Sequence, residues 1–200
     1  MPLRKYLDKY LGGKASIFII LTLLAVTNSS LFGLNEVPLT GDAVEYNSYA
    51  TNLALGNGYH LYDAKFSAYR EPAYSFFISL IYRLFGIQNF MAVKMTQILI
   101  LAGIAFFVYL SFRRFNYKNT GLLAAALTSI IPYFGYYTNL LMSEIFFAFF
   151  IAASFYLLLR ILSGDVKLCL YILLGLALSI PILTKSAFLF FPFFTAIILY

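Results

Sequence analysis

The chain has 200 residues, of which 62% are hydrophobic, 20% aromatic and only 11% charged. A soluble domain carries roughly 25% charged residues, so a soluble enzyme, a disordered chain and a disulfide scaffold are excluded. The formal net charge of +6 therefore indicates basic loops beside an anionic leaflet rather than a nucleic-acid partner. One cysteine and one histidine provide no ligand cluster for a structural zinc ion.

The first two membrane spans are predicted from apolar runs, because a span needs about 20 mostly apolar residues. The first run covers residues 15–35. The second covers residues 95–112 and is extended back to Phe90, with Lys94 near its end. A cleaved signal peptide is the alternative for the first run. Apolar residues resume at 31–34 without a small-residue cleavage site, which favours an uncleaved span.

The third and fourth spans are predicted within residues 119–159, which contain a single charge, Glu144. As one helix this run would be about 60 Å long, twice the thickness of a bilayer core. The run must therefore fold back, and we predict a re-entrant turn at 133–141. The helix-breaking residues that indicate it are Pro132, Gly135 and Asn139.

Two further apolar runs follow, at residues 168–184 and 186–200. We therefore expect an all-α, polytopic transmembrane helix bundle with about six spans. Residues 1–200 are expected to form one transmembrane domain, and the last run is interpreted as a span that continues in a longer, C-terminally extended protein.

The distribution of basic residues predicts the orientation in the membrane. Nine lysines and arginines fall on the side of the N-terminus and five on the other side. The positive-inside rule then places the N-terminus in the cytoplasm and residues 36–90 and 133–144 outside. The nine are Arg4, Lys5, Lys9, Lys14, Arg113, Arg114, Lys118, Arg160 and Lys167, and the five are Lys65, Arg70, Arg83, Lys94 and Lys185.

The long outer loop, residues 36–90, is predicted to contain two helices. The first begins near Asp42 and ends at Gly56, a usual C-terminal stop. Its one face carries Asp42, Tyr46, Tyr49 and Leu53. The second begins at Pro72 and ends at Gly86. Its apolar stripe indicates a helix lying on the outer leaflet, and consists of Phe76, Phe77, Leu80, Ile81, Leu84 and Phe85.

Asp42 has two interpretations. With Glu45 three residues later it matches a capping box, in which both acids satisfy backbone N–H groups at a helix start. Alternatively, Asp42 is a catalytic base at the outer membrane face. The two are compatible, since a helix N-terminus stabilises a carboxylate.

Three other charged residues also have two possible interpretations each. Arg70 is either half of a solvated pair with Glu71 or a phosphate ligand, for which its fork geometry is suited. Glu144 is either an interfacial helix cap after Ser143 or a functional carboxylate at the end of a span. Lys185, between two apolar runs, is either a snorkelling residue or a phosphate ligand.

Six short motifs occur in order after the first apolar run. They are GDAVEY at 41–46, ATNLALGNGY at 50–59, REPAY at 70–74, IYRLFG at 81–86, LMSE at 141–144 and LTK at 183–185. This order resembles the integral-membrane GT-C glycosyltransferases. Within them it is most similar to the branch that contains protein O-mannosyltransferases and lipid A aminoarabinose transferases.

The resemblance implies an enzyme embedded in membrane lipid, with its active face outside the cytoplasm. Such enzymes transfer a sugar from a polyprenyl-phosphate carrier to an extracytoplasmic acceptor, which is a glycan, a lipid or a protein. The sequence requires no cofactor, leaves open a divalent metal, and gives no sign of a nucleic-acid partner.

The resemblance also assigns residues to the site. Asp42 matches the family's catalytic acid, Ala43 replaces the acid that often follows it, and Glu45 is the second catalytic candidate. Arg70 and Lys185 fall where the family has basic residues that hold the carrier phosphate, and Glu144 is a possible supporting acid.

Two other classes remain. A non-catalytic transporter or assembly subunit predicts charges around a mid-membrane cavity with broken helices, and Pro132 and Pro181 are possible breaks. The predicted clustering of charges at the outer interface favours the transferase. An inactive fragment of such a transferase is the third possibility.

Overall fold

The computed structural model describes residues 13–33, 39–61 and 69–199, and within these ranges the protein is helical, without strands. The predicted all-α class is therefore confirmed. The helices are α1 (Lys14–Ser30), α2 (Asp42–Leu55), α3 (Pro72–Phe85), α4 (Phe90–Arg114), α5 (Lys118–Ile130), α6 (Pro132–Thr138), α7 (Glu144–Leu162), α8 (Leu168–Ile182) and α9 (Phe191–Leu199), with a single 3₁₀ turn at Ser186–Phe188.

Two of the described helices, α4 and α7, are long and apolar enough to cross a membrane. Helix α4 begins at Phe90, as the extension of the predicted second span requires. Helix α1, helix α8 and the segment Ser186–Leu199 are apolar but shorter. The bundle therefore contains two helices of full membrane length, with shorter apolar helices packed around them.

Helix α4 is the centre of the bundle, with α1, α5 and α7 packed around it. Small residues allow these close contacts: Ala25 of α1 and Ala102 of α4 are both fully buried in one cluster with Leu101 and Ile145. Helix α4 is therefore held along its middle by close contacts with α1 and α7.

The chain breaks at Pro132, as predicted, but the re-entrant turn at 133–141 is not wholly irregular. Pro132 occupies the first turn of α6, where its missing N–H costs no hydrogen bond. The predicted breaker Gly135 lies inside this short helix. A Cβ on Gly135 would lie 2.5 Å from Asn28 Oδ1, so glycine permits α6 to pack against α1. The chain then runs irregularly from Asn139 to the start of α7.

Helices α2 and α3 form a pair with the predicted bounds. Gly56 directly follows α2 and Gly86 directly follows α3. Their φ angles are 84° and 103°, backbone conformations that residues other than glycine rarely adopt. The rings of Tyr46 and Tyr74 meet edge to face at 4.9 Å. The Tyr82 hydroxyl donates a hydrogen bond of 2.8 Å to Asn47 Oδ1. This pair therefore provides a rigid platform at one end of the bundle.

The predicted apolar stripe of α3 divides between two environments. Ile81 is buried, Phe77 is partly buried against the same cluster, and the remaining members face outward. The outward members are Phe76, Leu80, Leu84 and Phe85. Such an exposed apolar row suits a membrane surface. The position of α3 on the outer leaflet stays a prediction.

At the opposite end of the bundle, arginines meet around Asp165. Arg160 Nε lies 3.0 Å and Arg114 Nη2 lies 3.7 Å from Asp165 Oδ2. The hydrogen bond from Arg160 lowers the pKa of Asp165 below its ordinary value. Four basic residues used in the orientation argument, Arg4, Lys5, Lys9 and Lys65, lie outside the described residues.

Candidate active site

The first turn of α2 presents two carboxylates to one arginine. Gly41, which has no side chain, is the N-cap residue, and Asp42 is already the first residue of the helix, so the capping-box interpretation of Asp42 and Glu45 is wrong. The two acids lie three residues apart on one face of the helix. Both instead accept hydrogen bonds from Arg70.

Arg70 uses a different nitrogen for each carboxylate. Its Nε donates to Glu45 and its Nη2 donates to Asp42, so the interpretation of Arg70 as a solvated pair with Glu71 is replaced by this bridge. Burial lowers the pKa of Arg70, but the hydrogen bond to Glu45 and the charge of Asp42 outweigh it and raise the pKa above its ordinary value. The guanidinium is therefore a fixed positive charge just before the start of α3.

The residues that follow Arg70 attach α3 to the turn after α8. Glu71 Oε1 accepts a hydrogen bond of 2.9 Å from the backbone N–H of Ser186. The N–H of Ala73 donates to the Leu183 carbonyl at 3.0 Å. Two contacts on either side of Lys185 thus fix this lysine near Arg70, although the two residues are 115 positions apart in sequence.

Lys185 pairs with Glu144 across the same end of the bundle. Its Nζ lies 3.0 Å from Glu144 Oε1 and 5.7 Å from the centre of the Phe147 ring. Glu144 is the first residue of α7, and its preceding N-cap, Ser143, makes no side-chain cap. The second oxygen, Glu144 Oε2, is buried and has no hydrogen-bond partner among the described residues. That oxygen is available to accept a hydrogen bond from a ligand.

A cavity of about 190 Å³ joins these groups, and we call it the carboxylate–cation cavity. Four of the predicted site residues line it together, whereas Glu45 contacts Arg70 and is not part of the lining. The lining consists of Asp42, Tyr46, Arg70, Glu71, Met142, Ser143, Glu144, Thr184, Lys185, Ser186 and Ala187. Side chains from α2, from the segments just before α3 and α7, from the start of α7 and from the turn after α8 therefore converge on one space.

Four polar residues of this lining had no predicted role in the site, namely Tyr46, Ser143, Thr184 and Ser186. Tyr46 lies one helical turn after Asp42 and donates a hydrogen bond of 3.4 Å to Ser143 Oγ. Burial raises the pKa of Tyr46 above its ordinary value, despite the opposing effect of that hydrogen bond, so the phenol stays protonated at neutral pH. In the sequence, Tyr46 shares a predicted helix face with Asp42, and the other three are chain neighbours of Glu144 or Lys185. These positions were the available signal.

The described residues contain no group of three or more His, Cys, Asp or Glu side chains placed to hold a metal ion. Asp42 and Glu45 both contact Arg70 instead. The chemistry that the cavity offers is that of carboxylates beside cations and a neutral phenol.

The model of the dolichyl-phosphate-mannose-protein mannosyltransferase family matches residues 70–200. No curated protein and no solved structure matches the chain. The family match includes Arg70, Glu144 and Lys185 and covers more than half of the chain, in agreement with the resemblance to GT-C glycosyltransferases. The chain therefore belongs to the dolichyl-phosphate-mannose-protein mannosyltransferase family, a family of membrane-integral glycosyltransferases.

Proposed function

We propose that the protein transfers a sugar from a polyprenyl-phosphate carrier to an acceptor hydroxyl outside the cytoplasm. One observation carries this proposal: Asp42, Arg70, Glu144 and Lys185 line a single cavity at one end of the helices. A carboxylate beside two cations is the minimum set that this reaction needs, because a proton must be removed and a phosphate must leave.

In the proposed reaction, Asp42 accepts the proton of the acceptor hydroxyl. The acceptor oxygen forms a bond to the anomeric carbon of the sugar, and the bond from that carbon to the phosphate oxygen breaks. The electron pair of that bond leaves with the carrier phosphate, whose added negative charge is stabilised by Arg70 and Lys185. Asp42 is 43% exposed, so an acceptor can reach it.

The two cations retain hydrogen-bond donors for a phosphate. Arginine has five N–H donors, and the contacts of Arg70 with Asp42 and Glu45 use one on each of two nitrogens. Lysine has three donors, and the contact of Lys185 with Glu144 uses one. We therefore propose that Glu45 and Glu144 orient Arg70 and Lys185, and that the remaining donors bind the carrier phosphate.

The proposal includes about six passes through the membrane within one GT-C-like transmembrane domain, with a cytoplasmic N-terminus. It is supported by the positions of the two polar ends. Asp42, Arg70 and Glu144 gather at one end of α4 and α7, and the cluster of Arg114, Arg160 and Asp165 lies at the other. A transporter predicts its charges midway along the helices, so this distribution favours the transferase.

The experiment measures binding of farnesyl phosphate, a short carrier analogue, to the full-length protein in nanodiscs. Lys185→Met and Arg70→Met should each weaken binding about ten- to a hundred-fold, because a charge-assisted contact is worth roughly 1.5–3 kcal/mol. Arg160→Met is the matched control, since Arg160 also pairs with a carboxylate but lies at the opposite end. It should bind farnesyl phosphate like the wild type. Unchanged affinity in both Lys185→Met and Arg70→Met would remove these residues from the phosphate site.

A further inference from the structure

Phosphate binding leaves part of the carboxylate–cation cavity without a role. Tyr46 and Ser143 line this part, and Glu144, which also lines the cavity, follows Ser143 in the chain. Tyr46 is 4% exposed and Ser143 is 2% exposed, so both hydroxyl groups are shielded from water. None of these three side chains carries a positive charge, and they therefore suit a part of the substrate other than the phosphate.

Glu144 has one oxygen that accepts a hydrogen bond and one that does not. Its Oε1 accepts from Lys185 at 3.0 Å, which fixes the carboxylate. Its Oε2 is buried and accepts no hydrogen bond from the described residues. A buried polar atom without a partner costs stability. Because a carboxylate oxygen can only accept, Oε2 calls for an O–H or N–H group of a ligand.

The hydroxyl pair of Tyr46 and Ser143 retains one hydrogen for a ligand. Tyr46 donates to Ser143 Oγ at 3.4 Å, longer than the usual distance of about 2.7–2.8 Å between two hydroxyl groups. The pair has two hydrogens and this bond uses one of them. Within the described ranges, no acceptor takes the other hydrogen, which belongs to Ser143. Ser143 can therefore donate to a ligand in the cavity.

An acceptor next to a hydrogen-bond donor matches a sugar hydroxyl, which both donates and accepts. Glu144 Oε2 can accept the hydrogen of such a hydroxyl, and Ser143 can donate to its oxygen. An ammonium group offers hydrogens only. It would also be repelled by Lys185, whose Nζ lies 3.0 Å from the other oxygen of Glu144. These groups therefore favour a hydroxyl over an amine.

The position of this hydroxyl on the sugar follows from Lys185. In the proposed function Lys185 binds the carrier phosphate, and it also contacts Glu144. The phosphate is attached to the anomeric carbon of the sugar, and the neighbouring hydroxyl-bearing ring carbon is C2. A sugar with its phosphate at Lys185 can therefore bring its C2 hydroxyl to Glu144 Oε2.

We propose that Glu144 and Ser143 bind the C2 hydroxyl of the carrier-linked sugar, and that Tyr46 positions Ser143 for this contact. Glu144 Oε2 accepts from the hydroxyl, and the hydroxyl oxygen accepts from Ser143. The bond from Tyr46 leaves the Ser143 hydrogen to the sugar. The site therefore selects a sugar that has a hydroxyl at C2, rather than a hydrogen or an ammonium group. This proposal rests on the proposed function, since it names the sugar class for the same cavity.

The test measures equilibrium binding of four farnesyl phosphates to the full-length protein in nanodiscs, at slightly acidic pH and without an acceptor. Each phosphate is linked to C1 of mannose, glucose, 2-deoxyglucose or glucosamine. Mannose and glucose have opposite C2 hydroxyls, 2-deoxyglucose has none, and glucosamine has an ammonium group there. The wild type should bind the better of the mannose and glucose compounds about ten-fold or more tightly than the other two, because the hydroxyl bonds to a charged group.

Three variants assign this preference for the hydroxyl to residues, each through the ratio of affinities within one variant. Glu144→Gln should reduce the preference most, because an amide is a weaker acceptor than a carboxylate. Ser143→Ala and Tyr46→Phe remove one hydroxyl group each and should reduce it several-fold. Tyr82→Phe is the matched control, because the Tyr82 hydroxyl bonds to Asn47 and neither residue lines the cavity. It should keep the full preference.

A wild type that does not prefer the hydroxyl over the hydrogen or the ammonium group would overturn the proposal. A full preference in Glu144→Gln or in Ser143→Ala would also overturn it. Unsubstituted farnesyl phosphate separates these outcomes from failure of the proposed function. If its binding needs Arg70 and Lys185 but the preference is absent, only the sugar site fails. If the preference needs Glu144 but farnesyl phosphate binding needs neither cation, the phosphate site fails and the sugar site stands.

Discussion

Arg70 determines the arrangement of charges around the candidate site. Its guanidinium contacts Asp42 and Glu45 through two nitrogens, and the Tyr46 ring lies 5.9 Å from its central carbon. A planar fork suits two carboxylates on one helix face, whereas the single ammonium of a lysine does not. The start of α2 is thus held by a side chain from the segment just before α3 rather than by its own cap.

Glu71 offers a test of the connection between α3 and the turn that carries Lys185. Burial raises the pKa of Glu71, but the N–H of Ser186 and the charge of Arg70 outweigh it, so the pKa lies below its ordinary value. A carboxyl group with a lowered folded pKa contributes stability above its unfolded pKa, about 4.3, and this stability is lost as pH falls through the folded pKa.

We expect Glu71→Gln to have a lower Tm than the wild type at neutral pH, because an amide is a weaker acceptor than a carboxylate. The difference in Tm should shrink as the pH falls below about 4.3. Thermal unfolding of both proteins across this range measures it. A difference that is constant or grows on acidification would show that the charge of Glu71 does not support the connection.

The residues of the site were predictable to different degrees. Asp42, Arg70, Glu144 and Lys185 stood in recognisable motifs, and all four line one cavity. Their pairing was not predictable, because it depends on how α3 packs on α2 and on the turn after α8. For the same reason a local pattern suggested a capping box, while the structure gives both acids to Arg70.

At the scale of elements, the breaks in the helices are stabilised by polar side chains of other helices. Asn28 of α1 is buried, and its Nδ2 donates to the Ser129 carbonyl at 3.0 Å and the Ile131 carbonyl at 2.8 Å. These carbonyls lie at the junction where Pro132 interrupts the regular hydrogen-bond pattern. Asn28 therefore supplies a donor to the Ser129 carbonyl, whereas the Ile131 carbonyl also accepts from the N–H groups of Phe134 and Gly135.

Asn28→Leu should destabilise the protein by about 1–3 kcal/mol, because it removes the side-chain donor of the buried Ser129 carbonyl. Thermal or denaturant unfolding of the wild type and the variant, both in one detergent, measures the loss of stability. Thr27→Val is the matched control, since the exposed Thr27 hydroxyl bonds only within its own helix, to the Leu23 carbonyl. Equal stability of Asn28→Leu and Thr27→Val would contradict this role of Asn28.

Glycine and proline made some element bounds predictable. As expected, Gly56 follows the last residue of α2, Pro72 begins α3 and Gly86 follows its last residue. The turn at 133–141 was less predictable because Pro132 both ends α5 and begins α6. A proline signals a break, but only tertiary packing decides whether another helix follows it.

In the whole molecule, the proposed transfer outside the cytoplasm requires that the end of the bundle with the carboxylate–cation cavity faces outward. The charge bias predicts that the end carrying α2 and α3 lies outside the cytoplasm. Cys169 is the only cysteine and is exposed, so a labelling experiment begins from Cys169→Ser. Single cysteines are then introduced at Asn57 and Asn116, which are both exposed.

A membrane-impermeant maleimide should label Asn57→Cys in intact cells and Asn116→Cys only after the membrane is opened. The predicted orientation places the two positions on opposite sides, because α4 lies between them in the chain. Labelling of both from outside, or of Asn116→Cys alone, would refute the predicted topology.

If Asp42 is the base of a glycosyl transfer, replacing its carboxylate by an amide should stop the proton transfer. Asp42→Asn keeps the size of the side chain and an oxygen that can accept from Arg70, but it cannot take up the acceptor proton. Sugar transfer from a polyprenyl-phosphate donor is measured in membranes containing equal amounts of full-length wild type, Asp42→Asn and Asp165→Asn. Asp165 is the control because it also pairs with arginine, at the far end of the bundle. The account predicts that transfer falls by roughly 10²-fold or more in Asp42→Asn and little in Asp165→Asn; a wild-type rate in Asp42→Asn would contradict it.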